Sequence, residues 1–260
     1  MIRIDAHVHM GVSWLGSNRA RINADDILRI YDKYEIQYGC LSAWQVGYDF
    51  WAGNEETLQI WKKNPDRWIP LAIVGPRDGK LAVDLIKKYA EEYGWKGIKI
   101  HPSCNQFRVD NEWLMDPIME ACRKYNMFIQ IHSNRDMFAD ATMISTLAAR
   151  HPDVRIIMAH IGNSVGHAWI DAINAAIKNP NLYLDSAASL NSNYTIPLVI
   201  EACGCEKLFF GSDLPYSNFA PEIEKIFCCD MQGYNITQYQ KDMVSVSYTH
   251  LRAHETRHDL

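Results

Sequence analysis

Histidines and one aspartate recur at the ends of short apolar runs along this chain of 260 residues. The first run closes in Asp5-Ala-His7-Val-His9, and later ones in Lys99-Ile-His101, Ile131-His132, Ala159-His160 and Gly211-Ser-Asp213. Alternate residues of an extended strand share a face, so Asp5, His7 and His9 are expected on one side, with Ile4, Ala6 and Val8 on the other. At ~3.3 Å rise per residue, His7 and His9 stand roughly 6.6 Å apart along that face, and two imidazoles so placed can reach one cation. A His-x-His pair alone is weak evidence, because half-buried histidines are common. Five strand ends delivering such residues to one place point to a metal centre.

The donor set narrows the chemistry. Neutral imidazoles with a carboxylate suit zinc first, with manganese or iron as alternatives, whereas magnesium or calcium would want all-oxygen ligands. With His7, His9, His132 and Asp213 as ligands, one position is left for a water whose pKa falls from ~15.7 toward ~7. Asp213 is then placed to take the water's proton and hand it to a leaving group. His160 would polarise the substrate or orient the water. Lys99 and His101 share a strand face and would contact the substrate, the other reading of Lys99 being a buried structural lysine. Hydrolysis of a small organic molecule by metal-activated water is the expected activity. The alternative is non-oxidative decarboxylation of a small carboxylic acid, its carboxylate and a neighbouring oxygen held on the ion. A protein serving only as a binding scaffold would have no need of five converging polar groups.

Such convergence requires a fold that gathers many strand ends. Eight runs rich in β-branched and aromatic residues cover 3–9, 37–43, 68–74, 97–101, 127–132, 154–160, 181–185 and 207–213. Helical patterns lie between and after them at 24–34, 54–63, 80–93, 111–125, 139–150, 164–178, 195–203 and 221–229. Asn23 is a candidate N-cap for the first helix. Strands alternating with helices without a linker predict a single (β/α)8 TIM barrel over residues 1–244. Its active site belongs at the C-terminal ends of the strands, where the histidines and Asp213 lie. An open doubly wound sheet is the other arrangement of such a pattern, but no Gly-x-Gly-x-x-Gly follows the first strand.

Composition sets the remaining bounds. A net charge of −5 and a pI of about 6.0 argue against a nucleic-acid backbone or an anionic membrane as principal partner. No apolar run approaches the ~20 residues of a membrane helix, and the first strand begins too early for a signal segment. Seven cysteines in no scaffold spacing are expected as free thiols in a reducing cytoplasm rather than a thiolate metal site.

On these motifs the chain resembles the amidohydrolase superfamily, within its amidohydrolase-related branch of small metal-dependent hydrolases and aminocarboxymuconate-semialdehyde or resorcylate-type decarboxylases. The resemblance rests on Asp5-Ala-His-Val-His9, Asn64-Pro-Asp-Arg-Trp68, Gly97-Ile-Lys-Ile-His-Pro102, His132-Ser133, Ala159-His-Ile-Gly162 and Gly211-Ser-Asp-Leu-Pro215. It implies His7, His9, His132 and Asp213 as ligands with His160 in the catalytic shell, and a homodimer, since relatives are often dimers. Some superfamily members bridge two metals through a carboxylated lysine on the fourth strand, but Lys99 lies short of the strand end, so one metal is expected. Decarboxylases of the branch place an arginine on the substrate carboxylate, for which Arg19, Arg21, Arg77 and Arg135 are rim-side candidates; by their own spacing Trp14, Trp44, Tyr48 and Trp51 would either line an aromatic pocket or pack as ordinary loop residues. Residues 245–260 instead resemble a translated sequencing adapter, so their histidines stay outside the metal argument, and the resemblance implies a final helix beyond Val244.

Overall fold

The computed structural model describes residues 2–12, 21–47, 49–163, 168–188, 194–229, 233 and 236–246 of the chain. Eight parallel strands run in sequence order: β1 (Arg3–Val12), β2 (Ile36–Ala43), β3 (Trp68–Ile73), β4 (Gly97–Ile100), β5 (Phe128–Ile131), β6 (Ile156–Met158), β7 (Leu182–Asp185) and β8 (Leu208–Phe209). A two-residue strand, Arg21–Ile22, adds an antiparallel pairing to the end of β1. The chain then closes on itself. Ala6 N donates to Phe210 O, Asp213 N to His7 O and His9 N to Leu214 O, each at 2.8 Å. These bonds join β1 to the segment after β8, so the sheet is a TIM barrel and not an open doubly wound one.

A helix follows each strand: α1 (Ala24–Tyr34), α2 (Phe50–Lys63), α3 (Lys80–Tyr93), α4 (Glu112–Lys124), α5 (Ala141–Arg150), α6 (Ala168–Lys178), α7 (Thr195–Cys203) and α8 (Phe219–Phe227). Their starts follow their caps. Asn23, Asp49, Asn111 and Asp140 each accept a backbone N–H of the first turn with the side-chain oxygen. Asp49 therefore starts α2 four residues earlier than the apolar stripe suggests. A further helix, α9 (Gln238–Val246), packs under the barrel, and its Val244 carbonyl accepts from Phe210 N at 3.0 Å. It runs two residues past the expected end of the barrel domain and buries Ser245; residues 247–260 lie outside the described residues.

Two apolar layers fill the molecule. Inside the barrel, Ile4, Ala6, Cys40, Ile69, Leu71, Phe128, Ile157 and Phe209 form one cluster. A larger one lies between strands and helices and includes Val8, Met10, Tyr31, Leu41, Ile98, Ile129 and Leu184. Gly97 makes room in the lumen: a Cβ there would lie 2.5 Å from Leu71 Cδ2 and 2.6 Å from Phe128 Cζ.

One expectation for β1 fails. Asp5 pairs with Gly39 and Val8 with Leu41, so β1 carries one extra residue between them, a bulge. The bulge breaks the alternation. Ile4 and Ala6 point into the lumen below His7, while Asp5 faces outward and accepts from Tyr31 Oη at 2.8 Å and Ser212 N at 2.9 Å. Asp5 thus braces β1 against α1 and the segment before Asp213. Burial pushes its carboxyl up to about 7, with the bonds from Ser212, His7 and Tyr31 acting the other way.

Candidate active site

His7, His9 and Asp213 meet at the C-terminal mouth of the barrel. His7 Nε2 lies 3.0 Å from His9 Nε2, and Asp213 Oδ1 lies 3.5 Å from the first and 3.2 Å from the second. All three residues are buried. The far nitrogens are already engaged: His7 Nδ1 is 3.1 Å from Asp185 Oδ2 and His9 Nδ1 is 3.0 Å from Ser42 Oγ. An ionised carboxylate only accepts, so Asp185 fixes the proton of His7 on Nδ1 and leaves Nε2 as a lone pair facing the centre.

The electrostatics suit a cation. Burial lowers the His7 pKa well below its ordinary value, with the Lys99 charge adding to it, and burial lowers that of His9 as well. Burial would raise the Asp213 carboxyl, yet the His9 hydrogen bond and the facing imidazoles hold it well below the usual carboxylate range. Two neutral imidazole nitrogens and one carboxylate oxygen converge here with water largely excluded. That mixed nitrogen and oxygen set fits one divalent transition ion.

His7, His160 and Asp185 form a second close group, but its atoms are engaged with one another. Asp185 Oδ2 also accepts from Gln130 Nε2 at 3.0 Å, and Oδ1 from His160 N at 2.9 Å and Ala187 N at 3.1 Å. Four donors saturate the carboxylate, so this group orients the site and offers no open ligand. No motif in the sequence singles out Asp185. Its one signal was that the seventh run also ends in a carboxylate.

His160 follows β6 in a left-handed turn, with φ 64° at His160 and 49° at Ile161. Its Nδ1 lies 2.7 Å from the carbonyl of Ala187 and its Nε2 3.1 Å from His132 Nδ1. A carbonyl accepts only, so His160 donates from Nδ1, and its Nε2 is taken as the acceptor toward His132. His132 must then donate from Nδ1, which leaves its own Nε2 unprotonated. His132 stands one residue removed from the His7–His9–Asp213 trio and stacks on His101 at 3.7 Å.

Lys99 Nζ lies 2.7 Å from His7 Nε2 and donates to Gln130 Oε1 at 3.3 Å. Burial lowers its pKa to about 8. His101 turns both ring nitrogens to Cys104: Nδ1 accepts from its backbone N at 3.2 Å, and Nε2 lies 3.5 Å from its sulfur. Burial drops the His101 pKa to about 3. Trp44 stands edge-on to His9 at 5.1 Å, whereas Trp51 is exposed on α2 under Lys88. Arg77 donates to the carbonyl of Gln106 at 3.2 Å, and Arg135 is exposed in the loop after β5. Trp14, Arg19 and Tyr48, and the side chain of Arg21, lie outside what is described. The seven cysteines are free thiols. No described helix is long and apolar enough to cross a membrane.

A cleft of about 640 Å³ opens at the other end of the barrel, among Arg3, Tyr38, Arg67 and Asp242. Arg3 there pairs with Glu35 and Arg67 with Asp32. None of the strand-end histidines reaches it.

The family model described as amidohydrolase matches residues 4–227. No curated protein matches the sequence. Among solved structures, a dihydroxybenzoic acid decarboxylase from Polaromonas sp., with bound manganese and the inhibitor 2-nitroresorcinol, superposes with a TM-score of 0.75 at 14% identity, covering 96% of each chain. The 5-carboxyvanillate decarboxylase of Sphingomonas paucimobilis gives 0.72 at 16% identity, over 96% of this chain and 98% of its own. The 4-oxalomesaconate hydratase of Rhodopseudomonas palustris gives 0.67 at 14% identity, over 96% and 95%.

Proposed function

The chain belongs to the amidohydrolase family, and we propose that it is a metal-dependent, non-oxidative decarboxylase of a small aromatic or unsaturated carboxylic acid. The observation that carries this reading over hydrolysis is the whole-length likeness to the dihydroxybenzoate and carboxyvanillate decarboxylases. The Trp44 ring beside His9 is consistent with a planar substrate. Hydrolysis by a metal-activated water is the second reading, supported by the same donor set and the family.

His7, His9 and Asp213 would hold the ion, and we assign His132 as the remaining ligand through its unprotonated Nε2. Manganese or zinc fits these donors, and bound there it would withdraw charge from the acid's carboxylate and a neighbouring oxygen. The reaction is R–CO₂⁻ + H⁺ → R–H + CO₂: the bond to the carboxylate breaks, and its electron pair takes a proton at the vacated carbon. Asp213 passes that proton on, having collected it from a substrate hydroxyl or solvent. His160, fixed on Nδ1 by Ala187 and bonded through Nε2 to His132, would hold the His132 ring in place beside the substrate. The Lys99 ammonium faces the acid's negative charge. Exclusion of water favours the step, because an anion is replaced by neutral CO₂.

The test is incubation of metal-loaded protein with 2,6-dihydroxybenzoate and related ring acids in D₂O. The expected result is CO₂ release with one deuterium on the carbon that lost the carboxylate. Product that instead takes up ¹⁸O from labelled water, without CO₂, would establish hydrolysis.

A further inference from the structure

β2 and β8 flank β1, and the segments that follow them bring two aromatic rings together over His9. Trp44 opens the turn Trp44–Gly47 after β2, and Tyr216 lies beyond Asp213. The indole meets His9 at 5.1 Å and 89° and stacks against Tyr216 at 6.2 Å and 23°. The turn that carries Trp44 is held in place: Asn105 Nδ2 donates to the Gly47 carbonyl at 3.1 Å. Gly47 also packs so near Cys104 that a Cβ would lie 3.1 Å from that residue's own Cβ.

Trp44 Nε1 is buried and has no acceptor among the described residues. Buried indole N–H groups usually find a partner. Trp68 and Trp95 carry unpaired Nε1 atoms too, but both rings belong to the apolar layer between strands and helices. Of the three, Trp44 alone stands against a residue of the donor trio. An orphan donor on a ring fixed beside a cation site is complementary to an acceptor oxygen carried by whatever occupies that site.

We propose that Trp44 is a specificity-determining residue: its indole N–H, in the plane of a ring backed by Tyr216, donates to a carboxylate or ring-hydroxyl oxygen of the substrate. The inference rests on the decarboxylase reading and adds to it a requirement for an oxygen on the Trp44 side of a flat ring.

The probe is 2-nitroresorcinol, a planar ring whose nitro group stands where a carboxylate would be. Its affinity is measured by calorimetry on zinc-loaded protein, for the wild type and for Trp44→Phe, which keeps a ring and removes the N–H. Trp44→Phe is expected to weaken binding about tenfold with unchanged zinc content. In wild-type protein labelled with ¹⁵N-tryptophan, the Trp44 indole signal is expected to move downfield as the probe is added. Equal affinity in the variant, or an unmoved indole signal, overturns the role of Trp44 and leaves the decarboxylase reading standing. Failure of the wild type to bind the probe, together with no CO₂ release from ring acids, overturns both.

Discussion

Asp185 shows how much of the proposed metal site lies behind its candidate ligands. Its carboxylate is fully buried, accepts four hydrogen bonds, and sets which nitrogen of His7 faces the centre. Replacing it with Asn introduces an NH₂ that must face two of those four donors, and the His7 tautomer is no longer enforced. Metal affinity in Asp185→Asn should fall by about 10–100-fold, the usual cost of losing such an orienting partner. Competition with a chelating dye measures it, and an affinity equal to the wild type would show that His7 is oriented by other contacts. The carbonyl of Ala187, just beyond Asp185 in the chain, does the same for His160 and through it for His132.

Strand ends in this barrel are short because the residues that face the site sit in left-handed turns. Regular pairing stops at Met158 in β6 and Phe209 in β8, while His160 and Asp213 follow at φ 64° and 53°. Such positions are costly for residues other than glycine and persist where surrounding bonds hold them. Helices supply some of that support. Asn54 of α2 is buried, and its amide both donates to Ile73 O and accepts from Ile73 N, each at 2.8 Å. It closes the end of β3, next to the strand that carries Lys99. Asn54→Ala would strand two buried backbone groups and should destabilise the fold by about 2–4 kcal/mol. A urea unfolding midpoint unchanged from the wild type would refute that role.

For the molecule as a whole, closure and the proposed metal site share the same residues. The bonds that shut the barrel run through His7, His9 and Asp213 themselves: Asp213 N to His7 O and His9 N to Leu214 O. An ion held by their side chains therefore clamps the seam between the first strand and the last. Saturating metal at about 100 times its dissociation constant adds about 2.7 kcal/mol. For a chain of this size that corresponds to roughly 5–10 °C in melting temperature. Stripping the protein with EDTA should lower the midpoint by that amount, and manganese or zinc should restore it. A midpoint indifferent to chelation would show that no ion clamps the seam.

Residue type and order alone specify what repeats in this chain. Apolar period and helix caps mark eight strand–helix units, and strand ends bear His7, His9, His101, His132, His160 and Asp213 on one rim. Those features are local, so they are written in adjacent residues, and α1, α3 and α7 fall where their patterns place them. Everything that depends on residues far apart in sequence emerges only on folding. The bulge in β1 is a mismatch with β2, so no pattern within 3–12 reveals that Asp5 faces α1. Asp185 lies 178 positions from His7, and nothing near either one links them. His101 is turned aside by Cys104, while the His132 ring is set by the bond of its Nδ1 to His160. Strand ends can be gathered by pattern, but which nitrogen faces which oxygen is fixed by packing, because hydrogen-bond direction depends on the positions of both partners.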